Sequence, residues 1–379
     1  MKPIELRHYL HQYPELSGAE RNTQDLLHKL VAKLPLDRLE RIGGRSLILS
    51  FNGKHPGPQI LFRADIDALP ISEDLPLSYQ SKNKGVSHKC GHDGHTAIMF
   101  DFLNRIAQKK PKRGGLHILF QSSEENGKGA AAVLQDSKFK NYPYDYAYAL
   151  HNIPGFPEGK VLSRSGNFNA GASSISFDWK GLETHAAHPH KGKNPAALIA
   201  QAIQLASNLE LQDVKDAGFF LCTPVYSLLG SKDYGISPGQ GTLHFTARAW
   251  QGEVLNQNLN TLEAALKLES EKQGLELKVN RFEAFWPIIN DEQSKDIIDK
   301  AAIKAGLETG TLEEPFSWGE DFGLFLKGKK GAMFGLGAGE NCKVLHHPEY
   351  DFPDSLIDKG AEVFYQIYRQ HLDEEHQLY

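Results

Sequence analysis

Three cysteines, Cys90, Cys222 and Cys342, are all that the 379 residues carry. A set so sparse and odd in number argues against a disulfide framework and favours a reducing compartment. No apolar run approaches the roughly 18 residues that a bilayer span needs, so no membrane association is expected. Excess charge of either sign is missing too. Against 42 Lys+Arg stand 47 Asp+Glu, a net charge of −5, with none of the basic footprint that nucleic-acid binding requires. No internal repeat or low-complexity tract interrupts the chain, and the opening Met1-Lys2-Pro3-Ile4-Glu5 lacks the apolar core of a secretion signal. A cytoplasmic location is therefore the expectation. What is present is ordinary: 40% hydrophobic and 23% charged residues, enough for a full core spread over two or three domains.

Periodicity organises the chain. Leu26, Leu27, Leu30, Val31 and Leu34 recur at helical spacing after a polar stretch that begins at Ser17. The apolar runs Ser46–Phe51 and Ile60–Phe62, joined by a turn-rich segment, read as a strand hairpin. A helix over Ala97–Ile106, a strand at Leu116–Phe120, a helix near Gly129–Leu134 and a strand at Tyr146–Leu150 follow. Alternating strands and helices predict an α/β domain whose mixed, mainly parallel sheet carries helices on both faces. Near residue 172 the texture changes to half-exposed strands at Ser173–Trp179, Thr242–Ala249 and Leu275–Val279, with amphipathic helices at Asn194–Leu209 and Val254–Leu268. The first texture resumes after about Asp291, with helices at Ser294–Ala305 and Ser355–Arg369 and a strand at Ala332–Leu336. The division that results is a catalytic domain over 1–171 and 285–379, interrupted by a smaller α+β domain over 172–284.

Polar residues with metal-ligand chemistry gather just after the expected strands. Arg63-Ala64-Asp65-Ile66-Asp67 follows one, Gln121-Ser122-Ser123-Glu124-Glu125 the next, and His151-Asn152 a third. Ligands of open α/β sheets collect beyond the carboxyl ends of strands, so these groups are expected to share one site. The densest stretch is His88-Lys89-Cys90-Gly91-His92-Asp93-Gly94-His95-Thr96. Cys90 and His92, two apart, project to one side of an extended segment. Thiolate, imidazole and carboxylate together suit zinc, with manganese in range. An isolated Cys-x-His reads more simply as a polar loop with a buried thiol; Glu125, His151 and His346 as distant partners favour the ligand reading. His88 and His95 remain open between ligand and helix-entry roles. The Glu124-Glu125 doublet offers both groups that metal-assisted hydrolysis needs, a carboxylate ligand and a free carboxylate to accept a proton.

These residues carry a resemblance over nearly the whole chain. His11-Gln12-Tyr13-Pro14-Glu15-Leu16, Arg63-Ala64-Asp65-Ile66-Asp67-Ala68-Leu69-Pro70, Cys90-Gly91-His92-Asp93-Gly94-His95-Thr96, Glu124-Glu125, His151-Asn152-Ile153-Pro154-Gly155, His185-Ala186-Ala187, Gly319-Glu320-Asp321-Phe322 and His346-His347-Pro348 occur in order. The sequence resembles the M20 metallopeptidase family, in particular its amidohydrolase branch of hippurate, N-acyl-amino-acid and auxin-conjugate hydrolases. That resemblance implies two divalent metal ions, zinc or manganese, held by Cys90, His92, Glu125, His151 and His346, with Cys90 bridging. It implies Glu124 as general base and Asp67 as support of the metal centre; Asp65 stands where the wider family has a ligand histidine. It gives His185 an oxyanion role in the partner subunit's active site, Arg248 the substrate carboxylate, and the inserted domain the contact of a homodimer. Gly235 departs from the pattern, since the family places an asparagine there. The activity implied is hydrolysis of a small amide, an N-acyl amino acid, by metal-activated water. Alternatives are a metallo-carboxypeptidase or dipeptidase, a non-catalytic metal-stabilised binding protein, and a nucleophilic-cysteine enzyme using Cys90.

Overall fold

The computed structural model describes residues 1–373 and contains two compact units. One comprises Met1–Phe168, Ile288–Pro315 and the chain from Glu320 onward; the other comprises Asn169–Pro287 with Phe316–Gly319.

The first unit is built on eight strands: β1 (Arg38–Ile42), β2 (Ser46–Asn52), β3 (His55–Asp65), β4 (Arg113–Gln121), β5 (Tyr146–Ile153), β6 (Val161–Ser163), β7 (Thr309–Thr311) and β8 (Lys330–Gly337). Their order across the sheet is β1-β2-β4-β3-β5-β8-β6-β7. The middle strands β4, β3, β5 and β8 run parallel, so their carboxyl ends line one edge. Leu47–Leu49, Ile60–Phe62, Ile118–Phe120, Ala147–Leu150 and Ala332–Phe334 are at most 3% exposed. Strands buried on both faces read as continuous apolar runs rather than alternating ones. Helices α1 (Pro3–Gln12), α2 (Arg21–Val31), α3 (His92–Gln108), α4 (Gly129–Gln135), α5 (Glu292–Lys304) and α6 (Leu356–Tyr368) cover the sheet. Ala97, Ile98, Phe102, Leu103 and Ile106 of α3 join Phe62 and Phe364 in its core.

The hairpin expected from Ser46–Phe51 and Ile60–Phe62 does not form. β4 lies between β2 and β3, antiparallel to the first and parallel to the second. An apolar strand in mid-sheet needs two neighbours, and β3 takes β4 and β5 rather than the strand next to it in sequence.

The second unit is an antiparallel sheet in the order Phe220–Leu229, Gln240–Ala249, Gly171–Lys180, Glu276–Phe285. Along Gln240–Ala249 buried and half-buried residues alternate. The buried set, with Ile175 and Phe177, packs against Leu198 and Ala202 of helix Ala196–Leu209 and Leu259, Leu262 and Leu266 of helix Gly252–Lys272. Strand Phe220–Leu229 has no counterpart in the sequence reading. It is exposed from Thr223 onward and contains Pro224, a composition that fits only an edge.

Candidate metal centre

Four segments deliver one polar cluster at the carboxyl edge of the sheet. β3 ends in Asp65 and leads to Asp67; β4 ends in Gln121 and turns through Ser123 into Glu124 and Glu125; β5 carries His151; the loop before α3 carries Cys90. Cys90 and His92 do not lie on an extended segment, contrary to expectation. Gly91 caps α3 with φ 94°, and His92 opens the helix. Glycine is required twice over at this bend, because its φ is left-handed and a Cβ there would stand 2.4 Å from the Asn152 side-chain oxygen. The bend, not strand alternation, brings thiol and imidazole together. The donor atoms of Cys90, His92 and His151 lie within 4.8 Å of one another.

Neighbouring groups aim these donors. His92 Nδ1 faces the Asp67 carbonyl at 3.0 Å and Asp67 Oδ1 at 3.2 Å, so that nitrogen carries a proton and Nε2 is the atom left for a metal ion. His151 Nδ1 meets the Asn152 carbonyl at 2.9 Å, and its Nε2 faces Cys90 Sγ at 3.5 Å. The other oxygen of Asp67 accepts the Glu125 N–H at 3.0 Å and the Ser17 hydroxyl at 2.6 Å. Asp67 thus holds both the His92 ring and the Glu125 backbone. His346 is anchored by its N–H on the Lys89 carbonyl at 2.7 Å, and its Nε2 lies 3.7 Å from Glu125 Oε1. Among the described residues, Ser123 (φ 61°) and His346 (φ 65°) are the two non-glycine positions with left-handed backbone. Such backbone costs an L-residue about 1–2 kcal/mol, and here both instances abut the cluster.

Negative charge in the cluster exceeds what the protein balances. Arg63, buried, binds Asp65 Oδ2 at 2.8 Å, Glu320 Oε1 at 2.9 Å and Asp321 Oδ1 at 3.0 Å. Glu124 and Glu125 face instead the imidazole of His92, at 3.9 and 3.7 Å. Burial, then the carboxylates of Glu320 and Glu125, push the Glu124 carboxyl well above its usual range. Burial likewise lifts Glu125 to about 7, although His92 opposes it. Despite burial, Asp65, Asp67 and Glu125 raise His92 to about 10. Burial and the nearby Glu125 and Glu124 hold the Cys90 thiol far up. Beside a cation Cys90, His92 and Glu125 would take their ligating forms and Glu124 its carboxylate form. His92 Nε2 and Glu125 Oε1 are moreover buried with no hydrogen-bond partner among the described residues. One sulfur, three imidazoles and a carboxylate, with two donors left unpaired, fit divalent zinc or manganese.

The structure thus gathers Cys90, His92, Glu125, His151 and His346 with Glu124 and Asp67 in the first unit. His95 lies within 4.8 Å of Asp65 and His92, but its ring nitrogens are engaged by Asp65 Oδ1 and the Asn152 side chain. His88 is buried, its ring 6.4 Å from that of His11. His185 and Arg248 belong to the second unit. His185 is exposed, on a two-residue strand paired with Ile236–Ser237, and its Nδ1 accepts the Ala187 N–H at 3.0 Å. Arg248 Nε donates to the Ser317 carbonyl at 3.0 Å. Gly235 accepts the Ala186 N–H, and a Cβ there would meet only Asp233 Oδ1, at 3.3 Å. The sequence reading gave no role to Arg63, Glu320 or Asp321. A charged residue directly after the apolar run Ile60–Phe62 is the signal that a buried ion pair awaits.

Comparison with known proteins shows the family. Residues 61–370 match the description Peptidase family M20/M25/M40. The chain is 31% identical over 372 residues to an N-acetyl-L-cysteine deacetylase of Bacillus subtilis (strain 168), covering 98% of this chain and 88% of the relative. It is 28% identical over 376 residues to a hippurate hydrolase of Campylobacter jejuni, covering 97% and 96%. A solved Bacillus subtilis structure described as a dinuclear metal binding peptidase from the M20 family superposes with a TM-score of 0.79 at 24% identity, covering 96% of each chain. With its sheet, its inserted domain and its cluster of metal-ligand groups, the chain belongs to peptidase family M20/M25/M40.

Proposed function

We propose that the protein is a metal-dependent amidohydrolase that cleaves the amide bond of a small N-acyl amino acid. The observation that carries this reading is Glu124, an acid buried beside Glu125 and His92 and left over once Cys90, His92, Glu125, His151 and His346 are taken as the ligands. Cys90, His92, Glu125, His151 and His346 would hold two zinc or manganese ions. When bound, such ions lower the pKa of a coordinated water from 15.7 to about 7 and polarise a carbonyl oxygen.

The protein's own groups do the rest. Glu124 takes a proton from water as its oxygen adds to the carbonyl carbon, and returns it to the nitrogen as the C–N bond breaks. Products are the free acid and the amine. Asp67 keeps the His92 ring and the Glu125 backbone in place. His185 takes the oxyanion role and Arg248 the substrate carboxylate; a guanidinium suits that partner because it donates two parallel hydrogen bonds. Glycine at 235 supplies no side-chain amide, so the preferred substrate is expected to depart from the family norm.

The test is a hydrolysis screen with released amine as readout, on protein loaded with Zn²⁺ or Mn²⁺. N-acetyl and N-benzoyl amino acids are expected to turn over faster than dipeptides of the same residues. Chelation removes the activity and added metal restores it. Faster dipeptide turnover would assign a peptidase instead. Full metal content with no turnover across the panel would mean a binding protein, and activity that survives chelation would point to Cys90 as nucleophile.

The proposed assembly is a homodimer through the inserted domain. On its edge strand Phe220–Leu229, Val225 is 58% and Leu228 53% exposed, and an open apolar edge is a natural pairing surface. Val225→Asp is expected to shift sedimentation from dimer to monomer. A monomer with undiminished activity would remove the role given to His185 across subunits.

A further inference from the structure

Glu20 sits at the N-cap of α2 but does not cap it. Its side chain makes no bond to the first turn of its own helix. Glu15 performs that task, accepting the Asn22 N–H at 3.1 Å and the Thr23 N–H at 2.8 Å. Glutamate is a poor N-cap, and the usual capping residues are short enough to reach back to the helix. Glu20 instead reaches across 103 positions, and its Oε1 accepts the Ser123 N–H at 2.7 Å, together with the Gly18 N–H at 2.9 Å. The residue is 0% exposed, and its Oε2 is buried with no hydrogen-bond partner among the described residues. A buried acid with one unsatisfied oxygen is costly in a fold. Stability of α2 does not explain it.

What Glu20 grips does. Ser123 holds left-handed backbone, φ 61°, immediately before Glu124 and Glu125. Its carbonyl is fixed downstream, accepting the Gly129 N–H at 3.0 Å. Its N–H, the upstream half of the same peptide geometry, is fixed by Glu20. Without that acceptor a serine relaxes toward negative φ, and the two carboxyl groups that follow swing with it.

We infer that Glu20 is a positioning residue of the hydrolytic site, holding Ser123 in its left-handed turn so that Glu124 and Glu125 point into the metal cluster. The inference rests on the roles given to Glu124 and Glu125 under the proposed function. The hydrogen bonds of Glu20 run to the backbone of Ser123 and Gly18 rather than to those carboxyl groups, so it acts through the backbone of Ser123.

The test compares Glu20→Ala, Glu20→Gln and the double variant Glu20→Ala/Ser123→Gly, each metal-loaded. Glu20→Ala is expected to lower kcat and to weaken metal retention about 10–100-fold, with KM little changed. Glu20→Gln keeps an oxygen for the two N–H groups and retains most of both. Glycine adopts positive φ without penalty, so Ser123→Gly restores most of the kcat and metal retention lost in Glu20→Ala, while the unfolding midpoint stays lowered. A merely structural Glu20 gives no such split. If Glu20→Ala does not fold, Glu20→Asp, one methylene too short to reach, takes its place and is expected to lose kcat likewise. Wild-type kcat and metal retention in a folded Glu20→Ala or Glu20→Asp, or no recovery in the double variant, overturns the inference. Glu124→Gln run alongside separates the two failures: an inactive Glu124→Gln with an unimpaired Glu20→Ala sinks this inference alone, whereas an active Glu124→Gln sinks the reading beneath it.

Discussion

Glu124→Gln is expected to lower kcat by about 10²–10⁴-fold while metal content stays at the wild-type level. The amide is isosteric with the acid and keeps its volume in a site where Glu124 is only 5% exposed. What it loses is the capacity to accept a proton from water and pass it to the leaving nitrogen. Metal content is expected to be spared because the proposed reading gives ligation to the neighbour: Glu125 groups with Cys90 and His346, whereas Glu124 groups with His92 and Glu125 and with Glu320 and Asp321. Glu125→Gln is therefore expected to lose metal, and activity with it. Turnover and metal stoichiometry measured on both variants decide the assignment. Wild-type turnover in Glu124→Gln would refute the base, and metal loss in Glu124→Gln with retention in Glu125→Gln would exchange the two roles.

The placement of the Glu124-Glu125 doublet is half legible in the sequence. The doublet could be read because it follows an apolar strand, and the parallel order of β3, β4 and β5 makes "after the strand" mean one place in space. His151, near the end of β5, and His346, after β8, gather for the same reason, whereas Cys90 enters on the loop before α3. Local pattern also sufficed for α3, where apolar residues recur at helical period through Ile106. It failed where geometry is set by a bond to a distant partner. Nothing in the composition around Gly91 tells an extended segment from a left-handed cap, and the side chain that leaves no room for a Cβ there is the distant Asn152. Nothing near Ser123 announces positive φ, because the acceptor that holds it is Glu20. The hairpin failed likewise: pairing of β2 and β3 is decided by β4, which enters the chain only at Arg113.

Arg63 is the strongest case of such a remote dependence, and removing it is expected to have the largest effect on the fold. Its partners Glu320 and Asp321 lie 257 and 258 positions away, and all three are at most 1% exposed. Besides these and Asp65, the guanidinium donates to Gln121 Oε1 at 3.0 Å. Arg63→Met preserves the aliphatic stem but leaves three buried carboxyl groups without their cation. Breaking a buried pair in this way typically costs about 3–5 kcal/mol, a large share of a typical total stability of about 5–15 kcal/mol. Arg63→Lys keeps the charge, but an ammonium has three donors and no planar fork to serve four acceptor groups, so it is expected to fall between wild type and Met. Neutralising the acids in turn, Arg63→Met with Glu320→Gln and Asp321→Asn, is expected to recover part of the loss, because the penalty comes from uncompensated charge rather than from a missing contact. Urea unfolding of the metal-loaded proteins at one pH checks the order wild type, Lys, Met. A folded Arg63→Met within about 0.5 kcal/mol of wild type, the scale of an ordinary surface substitution, would show that the three carboxyl groups do not depend on Arg63, and the charge balance drawn around Glu124 would have to be redrawn.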